Sequence, residues 1–188
     1  MQHIMRFYFF LPITTMKRLL ISLFFLPWVL ACNSTAPKLQ ETTIYGKTSI
    51  LKDDTGLVYV AVDIKPSQLK PYLDKMKSHL GAVDFAKYRA GQQKRDHNKF
   101  HLTLLNPFEY EKLVKANVAL PTTVMIKLVG LGSAKNEKDR TFFVVAESAQ
   151  AQAYRRTHKL PRKDLHVTLG FNENDVFGVS KARDSLVR

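Results

Sequence analysis

Two copies of one alternating tetrapeptide constrain this chain more than any other feature: His101-Leu102-Thr103-Leu104 and, downstream, His166-Val167-Thr168-Leu169. Strict alternation of polar and apolar residues has the two-residue period of a half-buried strand, in which residues i and i+2 share a face. Each copy therefore predicts a strand with histidine and threonine on one face and apolar neighbours on the other. Phe100, Leu102 and Leu104 form the buried row of the first strand; Leu165, Val167 and Leu169 form that of the second. Two such strands present a pair of imidazoles and a pair of hydroxyls from a repeated scaffold. The competing reading is two unrelated edge strands, each with a solvent-facing histidine.

The chemistry these side chains suit is acid–base work on a phosphodiester. Two imidazoles near their ordinary pKa of about 6.5 can hold opposite protonation states around neutral pH. One can then activate the attacking oxygen while the other protonates the leaving one. Thr103 and Thr168, two positions along on the same faces, can donate hydrogen bonds to non-bridging phosphate oxygens, where charge accumulates in the transition state. Residue order does not tell which of His101 and His166 is acid and which is base, nor whether a bond is cut or joined. This design calls for no metal and no cofactor, and no carboxylate or cysteine cluster joins the histidines at ligand spacing. Lys99, Tyr154, Arg162 and Lys163 lie beside a motif or on an adjoining element and are candidates for contact with phosphate or base. Solvated surface is the competing reading for each of them. His79 reads as a helix-end residue, and His97 and His158 as surface residues.

The two His-x-Thr motifs resemble those of the two-histidine (2H) phosphoesterase superfamily, whose members carry one His-x-Thr or His-x-Ser motif in each of two lobes. That superfamily includes RNA 2′-5′ ligase-like proteins and cyclic phosphodiesterases. The stretch LHVTLGF at residues 165–171, followed by DVFGVSK at 175–181, is similar in particular to its Swiss Army Knife, RNA-repair-like branch. The likeness covers the chain from about Val58 onward. It implies a bilobal α+β fold: two β-sheet lobes with flanking helices around a central cleft. It also implies a metal-independent hydrolase acting on a 2′,3′-cyclic phosphate or related nucleotide or RNA phosphodiester, leaving a 2′-phosphate, with His101, Thr103, His166 and Thr168 as the catalytic set. The alternative is a non-catalytic envelope lipoprotein that binds an anionic ligand in a basic groove.

The amino terminus carries its own signal. Met16-Lys17-Arg18 is followed by an apolar run from Leu19 to Leu30, broken only by Ser22 and Pro27, and then by Ala31-Cys32. A short positive region, an apolar region and a small residue before a processing point describe a secretory signal. Val29-Leu30-Ala31-Cys32 resembles a bacterial lipobox, which implies acylation of Cys32 and a membrane anchor through it. The run is short for a spanning helix, which needs about 20 apolar residues; an uncleaved amino-terminal anchor is the competing reading. Asn33 after the cysteine is similar to Gram-negative lipoproteins of the outer membrane, so the expected location is the periplasmic side of that membrane. Residues 1–15 precede this signal awkwardly, and Met16 is the expected true start. The expected division is a signal segment over 1–31, an acylated polar tether over 32–43 and a phosphoesterase-like domain over 44–188.

The net charge is +13, of which residues 1–31 supply only Arg6, Lys17 and Arg18. Such a balance favours polyanionic partners such as nucleotides, nucleic acid or anionic headgroups. No protein partner is implied, and a monomer is expected. Periodicity predicts a strand over 57–64. A helix follows, capped by Ser67, with Leu69, Leu73, Met76 and Leu80 on one face and a stop at Gly81. Residues 83–99 read as a looser basic stretch. Asn106-Pro107 starts a helix with Glu109 in its first turn. The second half repeats the theme: strands over 122–131 and 141–147 around a turn at 136–139, then a helix capped by Ser148 reaching His158. Pro161 separates that helix from the second motif strand.

Overall fold

The alternation that predicts the two motif strands is realised as a circuit of six antiparallel strands with helices packed against it. The computed structural model describes residues 39–53, 55–115 and 117–187. The expected signal segment, the start at Met16, the acylation site Cys32 and the tether up to residue 38 lie outside the described residues. The strands are β1 Thr42–Lys52, β2 Val58–Ile64, β3 Phe100–Leu105, β4 Thr123–Lys135, β5 Arg140–Glu147 and β6 His166–Phe171; the helices are α1 Pro66–Arg95, α2 Pro107–Lys115 and α3 Ala149–Thr157. The strands close into a barrel in the order β1-β2-β3-β6-β5-β4. The two expected lobes are its halves, β1-β2-β3 and β4-β5-β6, each with a motif strand. They are joined edge to edge, by β1 with β4 and by β3 with β6. Among the described residues no helix is long and apolar enough to cross a membrane.

Several elements differ from the sequence reading. β1 was not anticipated; its polar run TTIYGKTSILK pairs on both sides, with β2 and β4, so partners rather than periodicity hold it in place. Thr42 and Thr43 already pair with Leu128 and Lys127, two residues ahead of the expected domain start. Ser67 does not cap α1. The helix begins at Pro66, and the Gln68 side-chain oxygen accepts the Lys65 N–H at 3.0 Å.

Gly81 does interrupt α1, with φ 76° and ψ 172°, a conformation open to glycine at little strain. The helix resumes at once, so residues 83–95 of the stretch expected to be loose are helical. This second half lies backbone-close on β6. A Cβ on Gly91 would meet the Phe171 carbonyl oxygen at 2.9 Å, and one on Gly170 would meet the Tyr88 carbonyl oxygen at 2.8 Å. Only glycine permits that approach, and it brings Arg95 at the helix end towards the motif strands.

Leu102, Leu104, Ile126, Leu128, Phe142, Val144, Val167 and Leu169 pack with Leu69 and Met76 of α1 in the main core. A smaller cluster of Val129, Ala134, Phe143, Val145 and Val176 lies apart from it. The carboxy-terminal segment is tied back over this cluster. The Val176 N–H donates to Thr141 Oγ1 at 2.9 Å, and the Val187 N–H donates to the Leu131 carbonyl at 2.8 Å.

A buried ion pair braces the two lobes from behind. Arg155 of α3 is 1% exposed. Its Nη1 and Nη2 donate to the two oxygens of Glu109 at 2.9 and 2.6 Å. The same guanidinium donates to the Leu104 carbonyl at 2.8 Å and to the Pro161 carbonyl at 3.0 Å. Glu109 in turn accepts the Asn106 N–H at 2.9 Å while Asn106 Oδ1 accepts the Glu109 N–H at 2.9 Å, a reciprocal cap on α2. One side chain thus ties the end of β3, the start of α2 and the approach to β6. Truncation of Arg155 to alanine leaves Glu109 without its partner and is expected to lower stability by about 3–5 kcal/mol. Urea denaturation followed by circular dichroism measures this, and a loss under 1 kcal/mol would refute the role.

Candidate active site

The sequence alternation sends the histidines and threonines to one face of each motif strand, and the barrel brings those faces together. β3 and β6 share one register pair, Leu102 opposite Val167, both wholly buried. In antiparallel pairing the residues that flank such a pair are also neighbours, with side chains on the opposite face. That register sets His101 beside Thr168 and Thr103 beside His166, in a two-fold arrangement. All four line one cavity of about 320 Å³. β2 and β3, by contrast, share five pairs. The cavity therefore sits over the most sparsely paired seam of the barrel.

The two imidazoles are held differently. His166 Nδ1 is 2.8 Å from the Asp164 carbonyl oxygen. A carbonyl only accepts, so Nδ1 carries the proton and Nε2 keeps its lone pair. Lys181 Nζ lies 3.4 Å from that Nε2, and the Phe143 ring meets the imidazole edge-on at 5.6 Å. Burial and then the Lys181 charge push the His166 pKa down to about 4, against the opposing hydrogen bond to Asp164. At neutral pH His166 is an uncharged base.

His101 packs against Tyr59, with ring centroids 5.3 Å apart. Among the described residues its buried Nδ1 has no hydrogen-bond partner, so no protein group fixes its tautomer. Burial lowers its pKa as well, but the Asp96 carboxylate works in the other direction and Arg95 adds to the lowering.

Between the histidines runs a chain of charges that sequence reasoning missed. Arg95 donates from Nε and Nη2 to both oxygens of Asp96 at 2.7 and 2.8 Å, and from Nη1 to Asp175 at 2.6 Å. The other Asp175 oxygen accepts from Thr141 Oγ1 at 2.8 Å and from Lys181 Nζ at 3.1 Å. Thr168 Oγ1 lies 3.5 Å from Asp175. Burial alone would raise the Asp175 pKa, but Lys181 and Arg95 outweigh it and the net shift is downward. Burial lowers the Lys181 pKa despite its carboxylate partner. Arg95 belongs to a stretch read as loose, and Asp175 and Lys181 belong to an irregular segment with no period. The only sequence signal for the last two is the DVFGVSK run that carried part of the family resemblance.

Of the four secondary candidates, Lys163 lines the motif cavity. Burial lowers its pKa against the pull of Glu109. Arg162 lines a neighbouring cavity that shares Lys163. Lys99 is exposed and lines neither. Tyr154 also lines neither: its hydroxyl donates to the Ala119 carbonyl at 3.3 Å, and its ring rests on His158 at 4.6 Å. Among the described residues no three His, Cys, Asp or Glu side chains converge as a metal-ligand set.

A family model described as Swiss Army Knife, 2H phosphoesterase domain matches residues 58–177. No curated protein and no solved structure matches. The matched region runs from β2 through β6, well over half of the chain, and includes both histidine motifs. Two imidazoles in unlike surroundings, each beside the other strand's threonine in one cavity, suit acid–base cleavage of a phosphoester. The chain belongs to the Swiss Army Knife group of 2H phosphoesterases, and its activity is of the phosphodiesterase type.

Proposed function

We propose that this domain hydrolyses a 2′,3′-cyclic phosphate or a related nucleotide or RNA phosphodiester, with His166 as general base and His101 as general acid. The observation that carries this reading is the Leu102–Val167 junction, beside which both imidazoles and both hydroxyls line one cavity. His166 Nε2, kept unprotonated, takes a proton from water as the water oxygen attacks phosphorus. Protonated His101, with the carboxylates of Asp96, Asp63 and Asp175 favouring its charge, gives its proton to the departing ribose oxygen. When O3′ departs, a 2′-phosphate remains. The reaction leaves His166 protonated and His101 neutral, and exchange with solvent restores both. Thr103 and Thr168 donate to the non-bridging oxygens, and Lys181 and Lys163 offset the charge that builds there.

The lipoprotein reading extends the proposal. With Cys32 acylated, the domain works on the envelope side of a bacterial membrane, away from cytosolic transfer RNA. Its substrate is then a small cyclic nucleotide, a fragment of extracellular RNA or another exported phosphodiester.

Replacement of either His101 or His166 by alanine is expected to lower turnover of 2′,3′-cyclic nucleotides by roughly 10²–10⁴-fold, with circular dichroism unchanged. Full activity in both variants would refute the two-histidine mechanism.

The pH profile of kcat/KM carries a second expectation. His166 is a base above about pH 4, and His101 is protonated only below a pKa that burial sets under the ordinary 6.5. The bell therefore lies on the acidic side of neutrality, and the rate falls as pH rises through 7. Lys181→Met removes a positive charge that depresses the His166 pKa, so the acidic limb moves to higher pH. An optimum on the alkaline side, or an acidic limb that stays in place, contradicts these roles. Metabolic labelling with a palmitate analogue is expected to mark the full-length chain and to be lost in Cys32→Ser; label that persists in that variant refutes the anchor.

A further inference from the structure

A second hollow, of about 650 Å³, adjoins the motif cavity. The two share Lys163, and their walls are continuous. Asp164 and Leu165 line the larger while His166 lines the smaller; Lys181 lines the smaller while Ala182 lines the larger.

The charges in the larger hollow are unevenly engaged. Arg183 is held by both oxygens of Glu147 at 2.6 and 3.0 Å and by Glu41 at 2.7 Å. The Asp164 carboxylate already accepts the Lys181 N–H at 3.1 Å and the Ser180 hydroxyl at 3.4 Å. Arg156 and Arg162 are exposed, and among the described residues neither side chain has a hydrogen bond or ion pair. The Lys163 ammonium makes no hydrogen bond either. Its backbone is fixed by Gln152, whose side-chain nitrogen donates to the Lys163 carbonyl at 2.7 Å and whose oxygen accepts the Lys163 N–H at 3.3 Å.

We infer that this hollow binds a second phosphate of the substrate, so that the preferred substrate carries a phosphoryl group beyond the one attacked. The inference rests on the phosphodiesterase reading above. Among the described residues Arg156, Arg162 and Lys163 make no hydrogen bond through their charged groups, while both carboxylates of the hollow, Glu147 and Asp164, are already engaged, which leaves a local excess of positive charge. Guanidinium groups match phosphate oxygens in geometry and charge. A concave site beside the reacting cavity suits a phosphate one nucleotide unit away, with Lys163 at the junction.

The test uses the full-length chain and three substrates: a nucleoside 2′,3′-cyclic phosphate, the same compound with a 5′-phosphate, and a dinucleotide ending in the cyclic phosphate. The second and third are expected to show a KM lower by roughly 10-fold or more, the worth of one charge-assisted hydrogen bond. The double variant Arg156→Ala/Arg162→Ala is expected to remove that advantage. A 5′-phosphate benefit without a dinucleotide benefit assigns the site to a terminal monoester; both together assign it to either linkage. Equal KM for all three substrates in the unaltered protein, or an advantage that survives the double variant, overturns the inference. Turnover of none of them sinks the phosphodiesterase reading instead. In that event calorimetry with pyrophosphate decides: binding weakened by the double variant supports the site, and unchanged binding overturns it.

Discussion

The contact of Leu102 with Val167 is the constraint on which the site depends. Both residues are wholly buried, so apolar burial fixes the register of β3 against β6. A slip of one residue in either strand would turn that strand's histidine inward and its apolar row outward. The polar face inherits its geometry from the apolar one. Because the strands are antiparallel, each histidine meets the opposite strand's threonine, and the two-fold arrangement needs no long-range symmetry in the sequence. The sparse pairing at this seam leaves room above it for a substrate.

The same seam places two similar side chains in unlike surroundings. His166 is fixed in one tautomer by a backbone carbonyl and lies beside a cation, whereas His101 lies among carboxylates without a fixed tautomer. The Arg95–Asp96–Asp175–Lys181 chain separates these environments. Its members come from the end of α1 and from the carboxy-terminal segment, so it also joins the two lobes electrostatically. Buried charges of this kind persist because each is paired; removal of one member exposes the desolvation of the rest. The site is therefore more coupled than two isolated motifs suggest, and Lys181 acts on the imidazole beside it as well as on Asp175.

Support for the seam comes from behind. Arg155 links the end of β3, the reciprocal cap of α2 and the approach to β6. The approach of α1 to β6, permitted by Gly91 and Gly170, carries Arg95 to the cavity. Tethers from Thr141 and Leu131 hold the segment that delivers Asp175 and Lys181. These contacts rest on a few polar bonds and two missing Cβ atoms rather than on a large apolar surface.

The alternation of residues 100–105 and 165–171 was enough to determine the motif strands, their buried rows and the four side chains that share a face, because a strand's period is local. The capping pattern at Asn106-Pro107 with Glu109 and the cap at Ser148 were legible for the same reason, whereas the stop expected at Gly81 is only a kink. β1 was illegible because neighbours on both sides, rather than its own period, hold it. The helix over residues 82–95 was obscured by its basic composition and by the glycine before it. Lys99 and Tyr154 looked equivalent to Lys163 in sequence, and only folding separated them, since proximity along the chain says nothing about which way a side chain leans. The barrel's closure, the register of β3 on β6, the charge chain between the histidines and their unlike surroundings were decided by tertiary structure alone. Each depends on groups far apart in the chain, and on burial that has no value until the chain has folded.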